Sequence, residues 1–323
     1  MVTGVQTCAL PISPADGGAL LRLTGTAWRC LVTRDAQPRR WKGSWPLGAL
    51  AAAGAAAAEG FRVALQRVSE ATGRPMPEAP YWRFNPDVRV ELDLSAPGLT
   101  ARRLDVEDID FISGGAITTA ALYCLLRCPG LSGNFRVIDP DKISLDNLNR
   151  YILARRSDCK KLKVDILARN ETNRIRIAGI PVRFDDKSRA DLGPLEPRVL
   201  VGVDDIPSRW AVQRAADRFV CVAGTSHFYA IVTTHKPGQP CAACAHPEDD
   251  DRPGHIPTIS FVSFWAGLMQ ARALLIEAAG AKPKAACLNI WPLGLDGPHA
   301  LHPTGVAARS DCPIRCPASR AIA

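Results

Sequence analysis

The segment RVIDPDKISLDNLNRY, residues 136–151, sets Asp139, Asp141, Asn147, Asn149 and Arg150 close together, directly after an apolar run that reads as a buried strand. An acid at the end of such a strand can accept hydrogen bonds from the hydroxyls of a nucleotide ribose. A dinucleotide-dependent dehydrogenase uses an acid in the same place, and taken alone the polar run also fits a solvated loop. Further along stand Lys163, in KKLKVDI, and Asp204, Asp205 and Arg209, in VGVDDIPSRW. Each has an ordinary alternative: Arg150 a surface ion-pair partner, Lys163 a solvated lysine, Asp204 the N-cap of the helix that IPSRW begins, Asp205 a cap or surface acid. Two cysteine pairs complete the set, Cys241 and Cys244 in PCAACAHP and Cys312 and Cys316 in DCPIRCP. Short spacings of this kind let each pair close on one ion, and four thiolates make a closed tetrahedral zinc shell of structural type. The competing assignment is two buried or redox-active pairs. His246 neighbours the first pair, but four sulfurs leave no place for it in the shell.

These groups need elements that bring them together. VEDIDFI reads as a strand, SGGA as a tight turn and ITTAALYCLLR as an apolar helix; GNFRVID is a second strand, KLKVDILARNETN a helix and RIRIAGIPVRF a strand. PRVLVGVD, IPSRWAVQRAADR and FVCVAG continue the alternation, FYAIVTTHKPG reads as an antiparallel addition, and SFVSFWAGLMQARALLIEAAG as a long C-terminal helix. Strands alternating with helices predict an α/β fold: a Rossmann-like, mainly parallel sheet with helices on both faces, an antiparallel C-terminal extension and a zinc knuckle. The turn between the first strand and helix, Ser113-Gly114-Gly115-Ala116-Ile117-Thr118, is where backbone N–H groups, at Gly115 and Ala116 above all, could meet a phosphate at a helix N-terminus. It is a reduced form of the usual glycine pattern, with Ser113 and Thr118 where glycines are expected.

Upstream, residues 1–12 (MVTGVQTCALPI) match the translation of a sequencing adapter and are set aside as an artefact. Residues 13–100 read as a truncated N-terminal region. It holds a strand within LRLTGTAWRCLVT, an Ala-rich helix from about Leu47 to Ser69, a proline-rich break at TGRPMPEAPYW and a half-buried strand in DVRVELDLS.

Of the 323 residues, 47% are hydrophobic and 22% charged, the balance of a globular protein. No apolar run is read as a membrane span, because the Ala-rich segment is interrupted by Glu59 and Arg62. The net charge of +8 suits an anionic ligand, but no dense Lys/Arg tract with interleaved aromatics points to nucleic acid. Eleven cysteines without a secretory signal are the usage of a reducing compartment, so cytoplasmic localisation is expected.

From Asp139-Pro-Asp141 through Asn147-Leu148-Asn149-Arg150, with Lys163 thirteen residues beyond Arg150 and VGVDDIPSRW after it, the chain resembles the ThiF/MoeB-like adenylating family, relatives of the ubiquitin-activating enzymes. The resemblance covers roughly residues 105–316 and implies an adenylation domain over 101–323, including the zinc-binding C-terminal segment. It implies an adenylyltransferase that activates the C-terminal carboxylate of a small ubiquitin-like or sulfur-carrier protein with ATP. Arg150 and Lys163 would clamp phosphates, Asp204 would hold Mg²⁺, Asp139 the ribose, and Asn147 and Asn149 the phosphates or the loop itself. Asp205 stands where the family has Asn, and Arg209 keeps the family Arg. Zn²⁺ on the four cysteines and a homodimer are further implications. Three departures stand out. No cysteine follows Cys244 in AHPEDDDRPGHIPTISF to carry a thioester, leaving Cys159 and Cys221 as weak substitutes; the glycine turn is altered; and neither Arg102 nor Arg103 can be assigned the family's N-terminal arginine role. The alternative is a non-catalytic, partner-binding module on the same scaffold.

Overall fold

The computed structural model describes residues 22–33, 43–75, 90–100, 103–185, 187–247, 259–294 and 301–321. They fall into two compact units: one up to Ser95 together with Ile290–His302, the other formed by 96–289 with the segment from Pro303 onward.

In the first unit, the segment expected to hold one strand forms a hairpin, β1 (Arg22–Gly25) and β2 (Arg29–Thr33). Its turn is closed by Thr26, whose N–H donates to the Arg29 carbonyl while its hydroxyl accepts from the Arg29 N–H. Helix α1 (Leu47–Thr72) follows, and β3 (Val90–Asp93) pairs antiparallel with β2. The buried residues of α1 are confined to its first half, where small alanines allow close packing; Gly73, at φ +65°, terminates the helix as a left-handed cap. At 26 residues and a mean hydropathy of 1.2 over its most apolar window, α1 is long and apolar enough to cross a membrane, contrary to the sequence expectation, yet 56% of that window is buried inside the fold, as in a core helix. The proline-rich break lies largely outside the described residues.

The second unit is built on the predicted alternation: β4 (Leu104–Ile112), α2 (Ala116–Leu125), β5 (Leu131–Ile138), α3 (Lys163–Ala168), β6 (Ile175–Ile180), α4 (Arg189–Leu192), β7 (Arg198–Val201), α5 (Ile206–Ala215) and β8 (Phe219–Ser226), followed by β9 (Tyr229–His235), α6 (Ala242–Ala245), α7 (Ser260–Ala278) and, at the chain's end, α8 (Pro317–Arg320); β10 (Cys287–Ile290) and β11 (Leu301–Thr304) each have residues in both units. The eight strands run in the order β11-β10-β9-β8-β7-β4-β5-β6. Pairings among β6, β5, β4, β7 and β8 are parallel, and β9 joins β8 antiparallel. The chain therefore lays β5 and β6 on one side of β4, then returns to lay β7 and β8 on the other. This reversal opens a crevice at the carboxyl ends of the strands.

Val199, Leu200 and Val201 of β7 and Val220 to Ala223 of β8 are fully buried, as expected for strands covered on both faces. Helices α2 and α7 cross closely enough that a methyl group on Gly267 would lie 2.5 Å from the Ile117 carbonyl, so only glycine fits there. Buried Gln270 of α7 donates to the carbonyls of Val201 and Cys221, at 3.0 and 3.1 Å, and ties the helix to β7 and β8. Two features depart from expectation. Helix α3 spans six residues, because the Asn170 amide turns back onto the Ile166 and Leu167 carbonyls and closes the helix. Strands β10 and β11 carried too little alternation to be read from the sequence.

Candidate functional site

A cavity of about 470 Å³ runs along the carboxyl ends of the parallel strands. Its size is that of a small-molecule site. Beyond β4, the chain passes through the turn at Ser113 into the N-terminus of α2, and Gly115 and Ala116 line the cavity. The turn is not an open nest of free amides. The Gly114 N–H donates to Asp139 Oδ2 at 2.7 Å, and the Gly115 N–H donates to Ser113 Oγ at 3.0 Å. Ser113 sits at φ +100°, a conformation that glycine adopts freely and serine only under strain. Thr118, in the last glycine position of the pattern, is accommodated because Gly202 faces it; its Oγ1 is buried without a hydrogen-bond partner among the described residues.

Asp139 ends β5 nearly buried. Besides the Gly114 amide it accepts from the Asp141 N–H at 2.8 Å, so backbone donors fix its carboxylate at the cavity floor. Lys163, at the start of α3, places Nζ 2.7 Å from Asp141 Oδ2 and 3.6 Å from Asp139 Oδ1. Burial works against its charge, but Tyr151, Asp139 and Asp141 outweigh burial and hold the ammonium above its ordinary pKa. Arg150 lines the cavity from the loop after β5, anchored by bonds to the Asp146 carbonyl (2.7 Å) and Asn149 Oδ1 (2.8 Å). Asn147 and Asn149 do not line the cavity. Asn147 Oδ1 accepts from the Ser144 N–H and Asn149 Oδ1 accepts from Arg150, so both amides bond within the loop.

On the other side of β4, Asp204 and Asp205 reach the cavity ahead of α5. The helix N-cap is Asp205, whose side chain accepts from the Ser208 N–H at 2.8 Å, and not Asp204. Exposed Asp204 uses Oδ1 for the Asp205 N–H at 3.1 Å, which leaves its second oxygen to the cavity. Arg209 is buried, with its guanidinium on the carbonyls of Val203 and Asp204.

Several lining residues had not been singled out from the sequence: Tyr151, Arg183, Thr225 and Ser263. The Tyr151 ring centroid lies 5.8 Å from the Arg150 guanidinium carbon and 6.0 Å from Lys163 Nζ, so one ring is within cation–π reach of both cations. An aromatic directly after the arginine was the available signal. Arg183 had none, being one of many scattered arginines. Cys221 is fully buried, and burial pushes its thiol pKa up; partly exposed Cys159 packs beside Tyr151 and does not line the cavity. Neither is placed as a nucleophile. Of the segment after Cys244, residues 248–258 lie outside the described residues.

The cysteine pairs converge. All four sulfurs lie within 4.8 Å of one another, with Cys241–Cys244 at 3.8 Å, Cys241–Cys312 at 3.6 Å and Cys244–Cys316 at 3.7 Å. A tetrahedron with Zn–S bonds of about 2.3 Å requires S···S edges of about 3.8 Å; these three of its six edges match that length, so the donor set suits zinc.

The order of the strands and the crevice at their carboxyl ends define a doubly wound α/β protein with its cavity at the topological switch point. The chain belongs to the ThiF family, whose model matches residues 114–291. It is 29% identical over 147 residues to the uncharacterized protein y4jF of Sinorhizobium fredii; the match covers 44% of this chain and 28% of that protein. Its fold is similar to that of E. coli MccB. The MccB structure with succinimide aligns with a TM-score of 0.53 at 17% identity, over 64% of this chain and 65% of that one. The structure with MccA-N7isoASN aligns at 0.53 and 16%, over 66% of each. The chain thus spans less than two thirds of the length of these solved relatives and about a quarter of the curated one.

Proposed function

We propose that the chain is an ATP-dependent adenylyltransferase that activates the C-terminal carboxylate of a small ubiquitin-like or sulfur-carrier protein, or of a peptide, as its acyl-adenylate. The observation that carries this reading is the convergence on one cavity of Asp139 and Arg150 from the run after β5, Lys163 from the start of α3 and Asp204 from the lead-in to α5. Family membership supports the adenylating chemistry. Peptide carboxylates are included because MccB, whose fold this chain shares, has been captured with MccA-N7isoASN.

In this reaction a carboxylate oxygen bonds to the α-phosphorus of ATP, the bond to the bridging oxygen breaks, and pyrophosphate leaves with that electron pair. Charge grows on the phosphate oxygens, so catalysis is mainly positioning and cationic stabilisation. Asp139 would accept from the ribose hydroxyls. Lys163 would leave Asp141 for a phosphate oxygen, and Arg150 would meet the pyrophosphate. The free oxygen of Asp204 suits Mg²⁺, a hard cation that takes carboxylate and phosphate oxygens and would screen the charge between the two reacting anions. The four cysteines would hold Zn²⁺ as a structural ion. A homodimer in the cytoplasm is the accompanying expectation.

ATP–pyrophosphate exchange in the presence of carrier proteins and peptides encoded beside the gene tests the activity. Arg150→Ala should reduce exchange by about 10²- to 10³-fold, the usual effect of removing one donor to the developing charge, while leaving the unfolding temperature unchanged. Full exchange in that variant would remove Arg150 from the mechanism; no exchange with any acceptor, together with no ATP binding, would leave the non-catalytic module. Ser113, strained and bonded to the amide that a phosphate would otherwise meet, is the feature that favours that second reading. Elemental analysis should find about one zinc per chain, and far less would reject the metal site.

A further inference from the structure

The strand order fixes the order of groups along the cavity. Arg183 and Phe184 lie beyond β6, Asp139 beyond β5, the Ser113 turn beyond β4 and Asp204 beyond β7. A nucleotide is linear: base, ribose, phosphates. With the ribose on Asp139 and the phosphates toward the α2 N-terminus, Arg150 and Lys163, the base falls on the β6 side, where Arg183 forms the wall.

Arg183 differs from the other cations of the cavity. Lys163 is paired with Asp141, Arg150 is held by a carbonyl and by Asn149, and Arg209 is spent on two carbonyls. The Arg183 side chain is exposed and its guanidinium has no partner among the described residues. Its backbone, by contrast, is pinned. The Ser188 hydroxyl donates to the Arg183 carbonyl, Asp185 N–H donates to Ser188 Oγ at 3.0 Å, and Ser188 N–H donates to Asp185 Oδ1 at 2.8 Å. A fixed backbone carrying an uncommitted guanidinium at the cavity mouth is suited to close over a flat ligand. Planar guanidinium groups stack on nucleobases as they do on aromatic rings.

We infer that Arg183 is the base-side contact of the nucleotide, its guanidinium lying over the face of the purine. This rests on the nucleotide reading of the cavity and adds a residue outside the motifs that first marked the site. The contact is indifferent to the number of phosphates, and that separates it from an electrostatic one.

The test is calorimetric titration of the full chain, as wild type, Arg183→Ala and Arg183→Lys, with ATP, AMP and inorganic tripolyphosphate. Arg183→Ala should weaken ATP and AMP alike, by roughly 2- to 30-fold, the range of a cation–π contact, and leave tripolyphosphate unchanged. Arg183→Lys should recover only part, because an ammonium lacks the flat surface. Unchanged ATP and AMP affinities overturn the inference, and so does an equal loss for tripolyphosphate, which would make Arg183 a phosphate contact. Wild-type nucleotide binding without pyrophosphate exchange would sink the adenylation reading and leave this one standing. A wild-type chain that binds neither ATP nor AMP overturns both.

Discussion

Arg136→Met is the substitution with the most calculable outcome. Arg136 of β5 makes a bidentate pair with Asp110 of β4, Nε to Oδ1 and Nη2 to Oδ2, both at 2.7 Å. The Asp110 side chain is 0% exposed and Arg136 25%; the Glu196 N–H adds a third bond to Asp110 at 2.8 Å. Asp110 and Arg136 thus strap together the two strands that end in the Ser113 turn and in Asp139. Methionine keeps the aliphatic volume and removes the counter-charge, leaving a buried carboxylate with one amide. Removing one partner of a buried pair costs about 3–5 kcal/mol; because water reaches part of Arg136, the lower end applies, about 3 kcal/mol. At about 2–4 °C per kcal/mol for a unit of 150–250 residues, the unfolding temperature at pH 7.5 should fall by about 6–12 °C. Adding Asp110→Asn should restore part of the loss, because the unpaired buried charge is then gone. Thermal unfolding followed by circular dichroism reads both effects. A fall below about 2 °C, or no recovery in the double variant, would mean that the pair is not a buried ion pair.

Substitutions at two other positions probe the loop and the turn. Asp158 is buried and held by both terminal nitrogens of Arg169 at 2.6 Å; this bonding depresses its carboxyl pKa despite burial. A depressed folded pKa gives stability that is present above the unfolded pKa and lost as pH falls through the folded one, so Arg169→Met should destabilise at pH 7 and the gap to wild type should close below about pH 4, as read by urea unfolding. At position 113, glycine relieves the positive φ whereas alanine keeps it; Ser113→Gly should therefore be more stable than Ser113→Ala by about 1 kcal/mol, and equal midpoints in urea would show that the turn is unstrained.

The alternation of strand and helix was legible because each parallel strand is covered on both faces and so reads as an unbroken apolar run, as in RVLV and FVCV. Asp139, Arg150, Lys163 and Asp204 were legible because they stand at spacings that several elements must share. The partition of roles was less so. Which of two adjacent acids caps α5 depends on where the helix begins, and Pro207 allows the first turn to start after Asp205. Whether Asn147 serves a ligand or its own loop depends on a tight turn in which Ser144 and Asn147 bond reciprocally. Arg183 reaches the cavity only through the order of strands across the sheet, which no local pattern encodes.

Helix α5 shows why the cysteine cluster and the cavity belong to one design. Arg209 faces the cavity and Asp205 caps the helix there, while the next residue, Trp210, packs on the cysteine cluster and donates from Nε1 to the His246 carbonyl at 2.8 Å. One turn further, Gln213 Oε1 accepts from the Ala242 N–H at 3.0 Å. The segment bearing Cys241 and Cys244 is therefore bonded twice to the helix that Asp205 caps and Asp204 precedes. Closing the four sulfurs on an ion would fix Cys312 and Cys316 to that segment and, through Trp210 and Gln213, fix the rotation of α5. A helix free to roll would carry Arg209 off the carbonyls of Val203 and Asp204 and leave the Asp204 carboxylate without a set position. None of the four cysteines lines the cavity, yet through Trp210 and Gln213 they are joined to the helix that follows Asp204.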